Sequence, residues 1–106
     1  MIRQPTYGQA DDEHELIELF FSCRNLIDLD TFSKTDPYLK LYERKSVKND
    51  WRLIDKTELV KDNLNPDFTK SFVIKYIFEI QQFYKAELWD YDGPNQEEWV
   101  GAAEFE

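Results

Sequence analysis

The chain has 106 residues, with 22 Asp and Glu against 13 Lys and Arg, a formal net charge of −9. That length holds a single domain, and that charge excludes a direct electrostatic grip on DNA, RNA or an anionic membrane. Cys23 is the only cysteine, which rules out an internal disulfide, and no apolar run is long enough to span a bilayer. Residues 1–13 read as a polar, flexible lead-in without a signal-peptide core, and a domain is expected over residues 14–106. A lone cysteine and the absence of such a core together predict a cytoplasmic setting.

From residue 15 to 23 one parity is apolar, through Ile17, Leu19, Phe21 and Cys23, the pattern of a strand with one buried face. Residues 25–37 form a loop rich in Asp, Ser and Thr, and 38–43 read as a second strand. A charged turn over 44–50 leads to a strand over 51–61. Asn63, Asn65 and Pro66 mark the next turn, since Asn and Pro favour such positions. Residues 68–76 alternate through Phe72, Ile74 and Tyr76, and 77–82 stay ambiguous between strand end and helical turn. Tyr84, Ala86 and Leu88 mark the buried face of the following strand, and 99–106 form the last. About six short strands without a long helix predict an all-β, antiparallel Greek-key sandwich.

Two acidic clusters stand in loops between these strands. One runs Asp28-Leu29-Asp30-Thr31-Phe32-Ser33-Lys34-Thr35-Asp36, the other Asp90-Tyr91-Asp92-Gly93-Pro94-Asn95-Gln96-Glu97-Glu98. A carboxylate recurs six residues after an earlier one in each, Asp30 to Asp36 and Asp92 to Glu98. If the fold brings the loops together, the carboxylates repel one another unless a hard divalent cation fills the space. Calcium suits such a group because it takes about six to eight oxygen ligands in flexible geometry. Neither cluster is an EF-hand loop: counted from Asp28, Ser33 stands where Gly is needed and Leu39 where the closing Glu belongs. For either cluster alone, ordinary turn chemistry of Asp explains the residues better than a metal does; the pair with matched spacing is what points to metal.

The chain is not expected to be an enzyme. His14, the only histidine, lies near the flexible start, and Cys23 falls on a buried parity as a small core residue. No phosphate-binding Gly-rich loop and no zinc spacing occur. Lys45, Lys48, Arg52, Lys56 and Lys61 make a basic stretch, but Glu43, Asp50, Asp55 and Glu58 interrupt it, so it reads as a solvated mixed-charge face. Trp51 and Trp89 read as packing residues.

The stretches Ser22-Cys23-Arg24-Asn25-Leu26, Asp30 to Pro37, Lys56-Thr57-Glu58, Leu64-Asn65-Pro66 and Trp89-Asp90-Tyr91-Asp92 make the chain resemble a C2 domain, most closely the first such domain of the copines. The resemblance runs from about residue 15 to the end and implies an eight-stranded antiparallel sandwich. It also implies calcium bound in loops at one end and docking on anionic lipids of the cytoplasmic leaflet, phosphatidylserine or phosphoinositides. Carried over, the acidic ligand positions fall on Asp30, Asp36, Asp90, Asp92 and Glu98, the last standing where the family usually has Asp. Phe32 would then insert among headgroups, with Lys34 pairing with phosphate, the equal alternative for Phe32 being a ring folded back onto the sandwich. Because only six strands are accounted for, the last one or two of the family's fold are expected to be missing. A strand edge left open in this way suits pairing with a protein partner. The competing reading is a calcium-independent interaction or scaffold module.

Overall fold

The computed structural model describes residues 14–27, 35–78 and 80–106. Six strands follow one another: β1 His14–Leu19, β2 Pro37–Arg44, β3 Arg52–Lys56, β4 Phe72–Ile77, β5 Phe83–Tyr91 and β6 Glu97–Phe105. They form a four-stranded sheet in the order β3-β2-β5-β6 and a two-stranded sheet of β1 and β4. Every pairing is antiparallel. The expected all-β sandwich is therefore the fold, and no helix occurs among the described residues.

The apolar parities meet between the sheets. Leu39 and Leu41 of β2, Tyr84 and Ala86 of β5, Phe72 of β4 and Phe68 before it form the buried core, with Leu19, Phe21 and Cys23 packed against it. Phe21 meets Phe72 edge-on with ring centroids 5.7 Å apart, and Phe105 stacks on Tyr84 at 5.4 Å. Full burial of a Leu or Phe side chain contributes about 1.5–3 kcal/mol, so this small set carries much of the fold. Burial also pushes the Cys23 thiol above its ordinary pKa, against the neighbouring Arg24 charge, as suits a packing residue.

Three strands are shorter than their sequence patterns predict, and each has a hydrogen-bonding cause. The pattern over 51–61 leaves the ladder after Lys56. There Thr57 Oγ1 takes the Leu39 N–H at 2.9 Å while the Thr57 N–H donates to Leu39 O at 2.8 Å. A side chain thus replaces backbone in the ladder. The pattern over 68–76 becomes a strand only at Phe72. The Glu58 carboxylate accepts the N–H groups of Thr69 at 2.7 Å and Lys70 at 3.1 Å, holding that backbone aside. The pattern over 15–23 ends as a strand at Leu19 but keeps its parity and direction. Phe68 N–H donates to Phe21 O at 3.1 Å, Cys23 N–H to Pro66 O at 2.9 Å and Leu26 N–H to Leu64 O at 2.9 Å. This irregular ladder carries the β1–β4 layer to the end of the sandwich where Asp36 and the β5–β6 hairpin lie. Tyr76, expected inside, is exposed and leans edge-on against Phe78 at 5.4 Å.

Candidate metal centre and the sheet face behind it

Alternation along β5 builds the site. Successive side chains of a strand point to opposite faces, so the parity that buries Tyr84 and Ala86 continues to Asp90 at the strand's end. Asp90 is fully buried. Across the β5–β6 ladder its partner is Glu98. The hairpin between them closes through Asp92 N–H to Gln96 O at 2.7 Å and Gln96 N–H to Gly93 O at 2.9 Å. Gly93 at φ 122° and Asn95 at φ 61° supply the positive dihedrals this turn requires. The result is that carboxylate oxygens of Asp90, Asp92 and Glu98 lie within 4.8 Å of one another, the first buried and the other two exposed.

Asp36 arrives from the start of β2. Its N–H donates to Asp90 Oδ1 at 2.9 Å, and its carbonyl accepts the Tyr91 N–H at 3.1 Å, so its backbone is locked to the acidic end of β5. Its Oδ1 accepts the N–H of Asp62 at 2.7 Å, which ties down the turn where Asp62 sits at φ 49°. The buried Thr35 beside it accepts the Asn63 N–H on its carbonyl at 3.0 Å and donates its hydroxyl to Ile27 O at 3.0 Å. Of the ligand positions implied by the sequence, Asp90, Asp92 and Glu98 converge, and Asp36 adjoins them through its backbone. Asp30, with Phe32 and Lys34, lies outside the described residues.

On the opposite face of the same sheet lies an array that sequence reasoning passed over. Lys40 stands 4.4 Å from the Trp89 ring, Arg44 4.2 Å from Trp51, and Lys85 4.9 Å from Trp51 and 5.1 Å from Tyr42. Carboxylates answer these cations: Lys85 pairs with Glu87 at 3.0 Å and Lys40 with Glu97 at 2.9 Å. The Trp89 indole N–H donates to Glu87 at 3.2 Å, and the Tyr38 hydroxyl donates to Glu97. Burial together with this bond pushes the Tyr38 phenol up to about 12. The Tyr38 and Lys40 donors hold the Glu97 carboxyl below the usual range. The signal was present as strict alternation, Tyr38-x-Lys40-x-Tyr42-x-Arg44 and Lys85-x-Glu87-x-Trp89. On an outward face it is seen only after the inward face is known. The basic stretch on the neighbouring edge is mixed, as expected: Arg52 pairs with Glu43, and Lys70 with Asp55 at 2.6 Å.

Comparison with known proteins places this geometry. The C2 domain family model matches residues 15–106. The chain is 43% identical over 90 residues to Copine-E of Dictyostelium discoideum, covering 80% of this chain and 16% of that protein. It is 38% identical over 93 residues to Nicotinic receptor-associated protein 1 of Caenorhabditis elegans, covering 74% of this chain and 15% of that protein. The chain therefore spans about a sixth of the length of these curated relatives. Among solved structures, BON1-C2B aligns with a TM-score of 0.69 at 24% identity, over 88% of this chain and 64% of that one. A C2 domain of plant Extended Synaptotagmin 1 aligns with a TM-score of 0.65 at 20% identity, over 86% and 64%. By its two-layer antiparallel fold and a family match that spans nearly every described residue, the chain belongs to the C2 domain family, and its sequence is similar to the copines.

Proposed function

We propose that residues 14–106 form a calcium-dependent phospholipid-binding module that docks on anionic lipids of the cytoplasmic leaflet. The observation that carries this reading is the convergence of Asp90, Asp92 and Glu98, with carboxylate oxygens within 4.8 Å. The donor set fits calcium: every group is a hard, anionic oxygen, and nitrogen or sulfur donors that would favour zinc are absent from it. Asp36, whose backbone N–H is bonded to Asp90, and Asp30 are the remaining acidic positions that this reading assigns to the site. Bound calcium supplies positive charge and coordination positions for phosphate oxygens.

The chain's own residues do the rest. Asp90, buried and anchored by the Asp36 N–H, fixes the floor of the site. Asp92 and Glu98, both exposed, face the incoming membrane. Without a cation this end is strongly negative and repels phosphatidylserine or phosphoinositide headgroups. With the charge reversed, Phe32 enters the headgroup layer and Lys34 pairs with phosphate.

Pelleting with phosphatidylserine-containing liposomes, in calcium or in chelator, tests the reading, with Asp92→Asn alongside. Calcium-dependent pelleting lost in the variant is the expected result. A folded wild-type chain that never pellets would overturn it and favour the calcium-independent scaffold reading, with a protein partner at an open strand edge.

A further inference from the structure

Glu97 and Glu98 are consecutive on β6 and serve opposite faces of the sheet. Glu98 lies in the carboxylate group with Asp90 and Asp92. Glu97 lies on the other face, where it accepts the Tyr38 hydroxyl and pairs with Lys40 at 2.9 Å. Tyr38 and Lys40 belong to β2, which does not neighbour β6; β5 runs between them. Glu97 therefore reaches across a whole strand and ties the start of β6 to the middle of the sheet. The span lies close to Trp89, whose ring is 4.4 Å from the Lys40 ammonium.

The need for such a tie is visible in the ladder. The register of β5 against β6 shifts between Leu88 and Trp89, and Trp89 pairs with Trp99 while Leu88 pairs with Gly101. A bulge bends its strand and interrupts regular pairing. It falls directly beside the Asp90–Glu98 pair, so only the short ladder from Trp89–Trp99 to Tyr91–Glu97 lies between the bulge and the hairpin. Trp99 is 56% exposed and offers little packing there. We propose that Glu97 is a positioning residue for the metal centre: by clamping onto Tyr38 and Lys40 it holds the first residues of β6 in register and keeps Glu98 against Asp90. This inference rests on the calcium reading above.

Charge separates positioning from simple electrostatics. Lys40 is a cation near an acidic site, so deleting its charge strengthens calcium binding if only the field matters. If the clamp matters, the same change weakens binding. Calcium titration by calorimetry on Lys40→Met, which keeps the alkyl stem, and on Tyr38→Phe, which changes no charge, makes the test. Both variants are expected to bind calcium roughly ten-fold more weakly, the equivalent of one lost charge-assisted hydrogen bond. Glu104→Gln, which removes an exposed charge farther along β6, is expected to stay within about two-fold because screening mutes distant surface charges. Unfolding curves in chelator establish that each variant is folded. Calcium binding that Tyr38→Phe leaves unchanged and Lys40→Met strengthens overturns the positioning role and leaves the calcium reading standing. A wild type that binds no calcium overturns both.

Discussion

Replacing Asp90 by Asn removes one charge while keeping shape and an acceptor oxygen for the Asp36 N–H. In the metal-free protein Asp90 faces Asp92 and Glu98, with carboxylate oxygens within 4.8 Å. Two unit charges about 5 Å apart repel by roughly 1–3.5 kcal/mol at effective dielectrics between about 80 and 20. Because Asp92 and Glu98 are exposed, the low end applies, about 1 kcal/mol for each of the two repulsions relieved. Against this, the bond from Asp36 loses its charge assistance, at a cost of about 1 kcal/mol. The net is a stabilisation of about 1 kcal/mol, or roughly 4–8 °C in melting temperature for a chain this size. In calcium the order reverses, since ligand at about a hundred times its Kd stabilises the wild type by about 2.7 kcal/mol. Thermal unfolding in chelator and in calcium, followed by circular dichroism, reads both signs. An Asn variant that melts below the wild type in chelator, and gains as much from calcium, refutes the reasoning.

Two further outcomes follow from other parts of the molecule. Leu41, fully buried between the sheets, when cut to Ala is expected to cost about 2–5 kcal/mol, while Leu53→Ala, at a half-exposed position, costs under about 1 kcal/mol. Equal costs in urea unfolding would show that the core has been misassigned. Alkaline unfolding tests the outer face. Burial and the Glu97 bond raise the Tyr38 phenol in the folded state to about 12. A raised folded pKa contributes stability that is complete below the unfolded value, about 10, and is lost as pH climbs through the folded one. Tyr38→Phe is therefore expected to lose less stability than the wild type between about pH 10 and 12, and identical pH profiles would contradict this.

The strand parities were legible in the chain because alternation is a local property. Ile17, Leu19 and Phe21, and likewise Tyr84, Ala86 and Leu88, carry their inward face wherever the strand is placed. Strand ends were less legible. They depend on distant competitors for backbone hydrogen bonds, such as the Glu58 carboxylate that captures the Thr69 and Lys70 amides and the Thr57 hydroxyl that takes the Leu39 amide. The resemblance motifs were legible as words but not as a structure. Ser22 to Leu26 and Leu64 to Pro66 prove to be hydrogen-bonded to each other, with Asn25 N–H on Asn65 Oδ1 at 2.8 Å and Arg24 paired to Asp67 at 2.8 Å.

By itself the sequence determined the class of fold, since alternating aromatic strands form a sandwich, and it held the clustered carboxylates on which the proposal of a hard cation rests. Which carboxylates meet was decided only in three dimensions. Asp90 and Glu98 face each other through the register of β5 against β6, and the Asp36 backbone adjoins Asp90 because β2 is hydrogen-bonded to β5. The same sheet order lets Glu97 span from β6 to Tyr38 and Lys40 on β2. Register and strand order arise from non-local pairing, selected by burial of whole faces rather than by any neighbouring residue, and so only the folded chain displays them.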